Sequence, residues 1–358
     1  MLGSKLSSFL LLALSVVSLA SPTPDPSGRS AGKRCEDPVE RKNWNKLSKS
    51  ERKSFTKAVL CLANKPAKYR KHIPGATSRY DEFHGVHVQQ GGEIHFVGHF
   101  IIWHRYFLLA YEKALREECG WKQGLPYWDW IADVASGDKM DDWEIFDSEY
   151  GFGGNGPWME IPEGQEVFPV PGRTGGGCVP DGPFTTKNFH VGLGPGANAS
   201  VSNPHCLRRD FSPEIVEYNL VQETWDEVVG QSDYGRFAKR LEAEPSWGMK
   251  NIHGGGHFGV GGSLGDMGDA YNSPGDPLFY LHHNNLDRVY WEWQKKDLKK
   301  RLWDVSGPIH MFDYANQKGG NVTLDFEINL GPLSGTRKLW ELLDIRREGM
   351  CYEFEDSD

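Results

Sequence analysis

Histidine placement constrains this chain more than any other feature. Of its 13 histidines, His84, His87, His95, His99 and His104 crowd one stretch, and His253, His257, His282 and His283 crowd another. The first stretch is otherwise apolar and aromatic, as in "EIHFVGHFIIWHRYF" (93–107). Burying an imidazole without partners costs about 1–3 kcal/mol per orphaned group, so any one such ring is ordinarily a satisfied core residue. Two clusters, each beside a strong helical pattern, call for a shared partner. Neutral imidazoles in such number are the donor set that a borderline, nitrogen-seeking metal such as copper or zinc takes.

The periodicity places these histidines on helices. Apolar residues recur at Trp103, Phe107, Tyr111 and Leu115, and Gly120 stops the pattern, which predicts a helix from about Phe100 to Glu118. Ser48 and Glu51 form a capping-box signature ahead of a helical run to Asn64, and a further helix is predicted over Arg79 to Val88. Helical pattern returns at Ser212 to Val229, at Tyr234 to Glu242, and from about Asp276 to Lys300 with Pro277 in its first turn. Between Ala135 and Asn203 the chain is rich in Gly and Pro ("GFGGNGPW", "GRTGGGC"), a long loop region of the kind that usually serves function or is disordered. After Leu302 only short strand-like pieces are expected.

The first 20 residues, "MLGSKLSSFLLLALSVVSLA", have the layout of a secretory signal. Residues 21–34, Pro/Ser/Gly-rich and ending in Lys33-Arg34, are expected to be a pro-segment or disordered leader, with the ordered domain covering 35–358. In an exported chain the six cysteines, Cys35, Cys61, Cys119, Cys178, Cys206 and Cys351, imply up to three disulfides, with 15 connectivities open. Sequons at Asn198 and Asn321 fit glycosylated surface loops. The net charge of -9 is spread without a basic run, so neither nucleic acid nor an anionic membrane is an expected partner.

"HGGGH" (253–257) has the i, i+4 spacing that puts two rings on one helical face, but it lacks the glutamate of a zinc protease motif. Two histidine sets also exceed what one zinc needs, which argues for two ions.

"HFVGHFIIWHRYFLLAYE" resembles the copper-A signature of the tyrosinase family, and "DPLFYLHHNNLDRVYWEWQ" its copper-B signature. "PYWDW" (126–130) and "GGHFGVGG" (255–262) are similar to family patterns too, so the resemblance runs from about Ser78 to Gln294. It implies a mainly α fold, a four-helix bundle holding a dinuclear copper site, with long Gly/Pro-rich loops and little β-structure. It implies two copper ions, copper A held by His87, His95 and His104 and copper B by His253, His257 and His283. His84, His99 and His282 occupy spacer positions and are expected to be supporting or solvent-facing; a competing idea makes His99 an assisting ligand. Asp287 and Arg288 are expected to pair, with Arg105 joining Glu112 in such a network.

The activity implied is oxidation of phenols with O2: ortho-diphenol to ortho-quinone, and in tyrosinases proper also ortho-hydroxylation of a monophenol. Hydroxylation in the family is helped by an asparagine after the first copper-B histidine, with an upstream glutamate. Here Gly254 stands in that place, Phe258 follows His257, and Glu242 or Glu244 is the candidate acid. Ala270, thirteen before His283, stands where relatives place a residue that can cover copper A, and its methyl blocks little. Glu93 replaces the cysteine that a thioether to His95 would need. No C-terminal covering domain is expected, hence no latency. Two alternatives carry other roles: a tailoring oxidase acting on one phenolic intermediate of a secondary metabolite, or dioxygen carriage as in haemocyanin.

Overall fold

The computed structural model describes residues 33–164, 167–242 and 249–355. The expected signal, residues 1–20, and all but the last two residues of the expected leader 21–34 lie outside the described residues. Those described belong to the unit Gly32–Asp358.

Strand β1 (Val39–Arg41) precedes α1 (Lys49–Asn64), α2 (Arg79–Gln90) and α3 (Phe100–Cys119). A capping box of Ser48 and Glu51 starts α1, another of Ser78 and Asp81 starts α2, and left-handed Gly120 (φ 74°) ends α3. Then follow α4 (Trp130–Ser136), α5 (Pro213–Asn219), α6 (Gln222–Val229), α7 (Tyr234–Leu241), α8 (Ile252–Gly261), α9 (Leu278–Lys295) and α10 (Leu298–Arg301). The tail adds β2 (Glu327–Ile328), β3 (Arg337–Lys338) and β4 (Tyr352–Phe354). β2 pairs antiparallel with β3, while β4 returns to lie parallel to β1 in the register Val39↔Tyr352. The expected mainly helical fold with little strand is what forms.

Helix α8 reads "IHGGGHFGVG", and so many glycines weaken a helix by about 1 kcal/mol each relative to alanine. Packing explains them. A Cβ on Gly256 would stand 2.2 Å from the His282 ring, and one on Gly259 would stand 2.3 Å from Val216 of α5. The bare helix face thus lets α5 and α9 close against it. Asn251 caps α8 by accepting from the N–H groups of His253 and Gly254.

Three boundaries differ from expectation. The single helix predicted over Ser212 to Val229 breaks at Leu220–Val221, where Val221 is extended, and Asn219 there accepts from the Asn251 N–H. The last long helix ends at Lys295 because Asp297, at φ -158°, starts α10 by accepting from the Lys300 N–H. The loop-rich middle from Ala135 to Asn203 follows α4, which Asp129 caps and Gly137 stops. It is pinned by Arg209, which donates to the carbonyl of Gly153 (2.5 Å) and grips both oxygens of Asp276 at 2.8 and 3.0 Å.

The cysteines form three disulfides, Cys35–Cys351, Cys61–Cys119 and Cys178–Cys206. Under the histidine helices lies a buried charge network centred on Asp287. Arg105 donates to it at 2.5 Å, Arg41 at 3.2 Å and the Tyr352 hydroxyl at 2.5 Å. Glu112 pairs with Arg41 at 2.9 Å rather than with Arg105. Arg288 does not pair with Asp287, since successive helical residues face different directions; it reaches Asp129 at 3.8 Å. Through Arg41 and Tyr352 this network fastens β1 and β4 to α3 and α9. Replacing Asp287 by Ala leaves the buried Arg105 guanidinium without a carboxylate, while Arg41 keeps Glu112, and is expected to cost about 3–5 kcal/mol in guanidinium unfolding. A loss below about 1 kcal/mol would show that the network is dispensable.

Candidate metal centre

Four helices and one loop bring six imidazoles to one place. His87 comes from α2, His104 from α3, His253 and His257 from α8, His283 from α9, and His95 from the loop before α3. Candidate ligand atoms of His87, His95 and His104 lie within 4.8 Å of one another, as do those of His253, His257 and His283. The two triads are neighbours. The His104 and His283 rings stack with centroids 4.4 Å apart, and those of His95 and His253 lie 6.0 Å apart and nearly parallel.

Backbone carbonyls fix which nitrogen of each ring is bare. A carbonyl oxygen can only accept, so a ring nitrogen bonded to one must carry the hydrogen. His87 Nδ1–H donates to the Tyr271 carbonyl at 2.8 Å, His95 to Gly91 at 2.9 Å, His104 to Phe100 at 2.8 Å and His257 to Met267 at 3.0 Å. Each Nε2 is left as a lone pair. The Nε2 atoms of His87, His104 and His253 are buried without a hydrogen-bond partner, and those of His257 and His283 face each other at 3.0 Å. Converging lone pairs of this kind fit a pair of nitrogen-seeking cations, and the carbonyl partners are the supports that metal-bound histidines ordinarily have.

Burial keeps these rings neutral, as metal binding requires. It takes His95 down to about 4 and His257 to about 3, and with help from neighbouring rings holds His87, His104, His253 and His283 well below the usual imidazole range.

The three spacer histidines are buried too, so none faces solvent. His84 Nε2 bonds the Asn272 side-chain oxygen at 2.9 Å. His282 donates from Nε2 to the His253 carbonyl (3.0 Å) and accepts at Nδ1 from the Trp130 indole (3.2 Å), which ties α9 to α8 behind the site. His99 occupies the N-cap position of α3 with its ring 4.7 Å from that of Phe326, and it belongs to neither triad.

A cleft of about 250 Å³ opens onto the triads. Gly254, Phe258 and Ala270 line it, together with His95, His253 and His257. Phe96, Met311 and Phe312 also line it, and sequence reasoning did not single them out; Phe96 carried a usable signal, its place directly after His95. Glu242 accepts from the Phe96 N–H with both carboxylate oxygens, at 2.9 and 3.0 Å, and so holds a residue with the unfavourable φ of 52°. Glu244 lies outside the described residues. The carbonyls of Gly91, Met267 and Tyr271 were missed as well, and a backbone atom leaves no mark in a sequence. Among the described residues no helix is long and apolar enough to cross a membrane.

The sequence profile for the common central domain of tyrosinase matches residues 77–296. Over 361 residues the chain is 31% identical to tyrosinase P of Aspergillus terreus, with 95% of this chain and 98% of that protein covered. It is 30% identical over 344 residues to N-acetyl-6-hydroxytryptophan oxidase ivoB of Emericella nidulans, covering 88% and 92% of the two chains. Among solved structures, a mutant polyphenol oxidase from Thermothelomyces thermophila superposes with a TM-score of 0.77 at 31% identity, over 89% of each chain.

In metal-free protein the unfolded chain takes protons onto its imidazoles below about pH 6.5, whereas folded His95 resists until about 4. Stability is therefore expected to be full above pH 6.5 and to fall as the pH drops below it. Melting temperatures of the metal-stripped protein between pH 7 and 5 check this, best in an Asp133→Asn background, because burial raises the Asp133 carboxyl to about 6 and its protonation works in the opposite sense. A flat profile there would mean that the rings are not buried neutral.

Proposed function

The chain belongs to the tyrosinase family of copper oxidoreductases, and on that premise we propose that it oxidises ortho-diphenols to ortho-quinones with O2, two catechols giving four electrons and four protons to form two waters. His87, His95 and His104 would hold one copper ion and His253, His257 and His283 the other, and the bound pair would supply the redox chemistry between phenol and O2. The observation that carries the reading is the two triads of neutral imidazoles, with bare Nε2 lone pairs, beside a cleft walled by Phe96, Phe258 and Phe312.

Each side chain then has a task. The Nδ1–H bonds of His87, His95, His104 and His257 to carbonyls keep the ligand nitrogens unprotonated and aimed. Phe258 and Phe96 form apolar walls that exclude water, while Gly254 and Ala270 leave space for the phenol ring. Glu242 acts as a brace, since its grip on the Phe96 N–H fixes the loop that carries His95. Gly254 supplies no side-chain amide to orient a water, so monophenol hydroxylation is the weaker activity.

The tailoring role is the second reading. It is favoured by a relative named for oxidising a single hydroxylated indole, alike over 92% of its length. Either way we propose that residues 1–20 export the chain, consistent with its three disulfides.

A copper-loaded sample assayed on 4-methylcatechol and on its matching monophenol is expected to form quinone from the first at least tenfold faster. Oxidation of neither, or faster turnover of the monophenol, would overturn the proposal. Gly254→Asn should raise the monophenol rate relative to the diphenol. A Cβ there meets only the Asn251 amide at 3.0 Å and otherwise ordinary contacts, so the fold has room for it.

A further inference from the structure

Two stacked aromatic pairs flank the cleft mouth, and oxidation of a simple catechol does not need both. Phe96 follows His95 and stacks on Phe312, with centroids 4.3 Å apart and planes at 20°. Phe258 follows His257 and stacks on Phe168, at 4.8 Å and 26°. The inner members and Phe312 line the cleft, whereas the outer rings reach into solvent, Phe312 being 46% and Phe168 55% exposed. Both outer rings stand on anchored backbone. The Phe312 N–H donates to the Phe96 carbonyl at 3.1 Å, and the Ser263 hydroxyl donates to the Phe168 carbonyl at 2.8 Å while accepting the Val170 N–H. Large apolar surface held open beside a functional cleft usually marks a binding surface.

Charge narrows the ligand. Among the described residues lining the cleft none is a lysine or arginine. Its one carboxylate, Asp269, turns both oxygens to the N–H groups of Tyr271, Asn272 and Gly196 and to the Asn272 amide. A substrate carboxylate at the outer end of the cleft would lose water and meet no lysine or arginine among the described lining residues.

We infer that the mouth selects phenols whose ring carries a flat, uncharged aromatic substituent opposite the reacting oxygen. The phenol ring sits at the imidazoles, and the substituent lies outward against Phe168 and Phe312. Aromatic stacking is worth roughly three- to tenfold in binding, and realised in the transition state it raises kcat/KM by the same factor. The inference rests on the phenol-oxidase reading and names its substrate class.

The test uses the copper-loaded full chain and four catechols: 4-methylcatechol, 4-phenylcatechol, 3,4-dihydroxyphenylacetate and its methyl ester. The expected kcat/KM for 4-phenylcatechol exceeds that for 4-methylcatechol by about tenfold, and the methyl ester exceeds the free acid. Phe168→Ala, an exposed loop change, should shrink the phenyl-to-methyl ratio at least threefold, and Phe168→Tyr, which keeps a stacking face, should retain it. A ratio near one, a preference for the acid, or a ratio indifferent to Phe168→Ala would overturn the inference while leaving catechol oxidation standing. Failure to oxidise any of the four would overturn both.

Discussion

Imidazole lone pairs aimed at one another inside a protein are the constraint on which this structure depends. Each ring of the six is buried, and in four of them a backbone carbonyl holds the hydrogen on Nδ1, which leaves Nε2 bare. The Nε2 atoms of His87, His104 and His253 are buried away from water and gain no protein partner in return. Two cations held at the triads convert that cost into coordination and so add to the stability of the folded chain.

Holding six rings in that arrangement takes rigid supports on both sides. Behind α3 and α9, the Asp287 network welds the helices that carry His104 and His283 to the strands at either end of the domain, and Cys35–Cys351 closes the same junction covalently. Beside α8, glycines admit His282 and Val216 so closely that the helix has little freedom to rotate its two histidines away. Three of the four carbonyls come from less regular chain, Gly91 following α2 and Met267 and Tyr271 lying between α8 and α9, while the fourth, Phe100, opens α3. Regular elements thus set where five of the six rings start, and irregular chain between them aims His87, His95 and His257.

This division also decides what could be read from the sequence. Helix periodicity and caps marked α1, α2 and α3 closely, because those signals are local. The two triads follow the motif resemblance, since metal ligands are side chains and leave a spacing. Partners of buried charges were harder. Arg105 was assigned to Glu112 and found Asp287 instead, because the choice depends on how α3 and α9 pack, and Arg41 came from a strand whose pairing partner lies 313 residues on. The break at Leu220 was hidden because it is made by Asn219 bonding across to α8 rather than by a Gly or Pro. The glycines in α8 were read only as the spacing between His253 and His257, and their role as contact surfaces for α5 and α9 depends on packing that no local signal shows.

Anomalous diffraction at the copper absorption edge from crystals of the loaded protein tests the central claim most directly. The account predicts two peaks, one among the Nε2 atoms of His87, His95 and His104 and the other among those of His253, His257 and His283. A single peak, or density held instead by His84, His99 or His282, would contradict it.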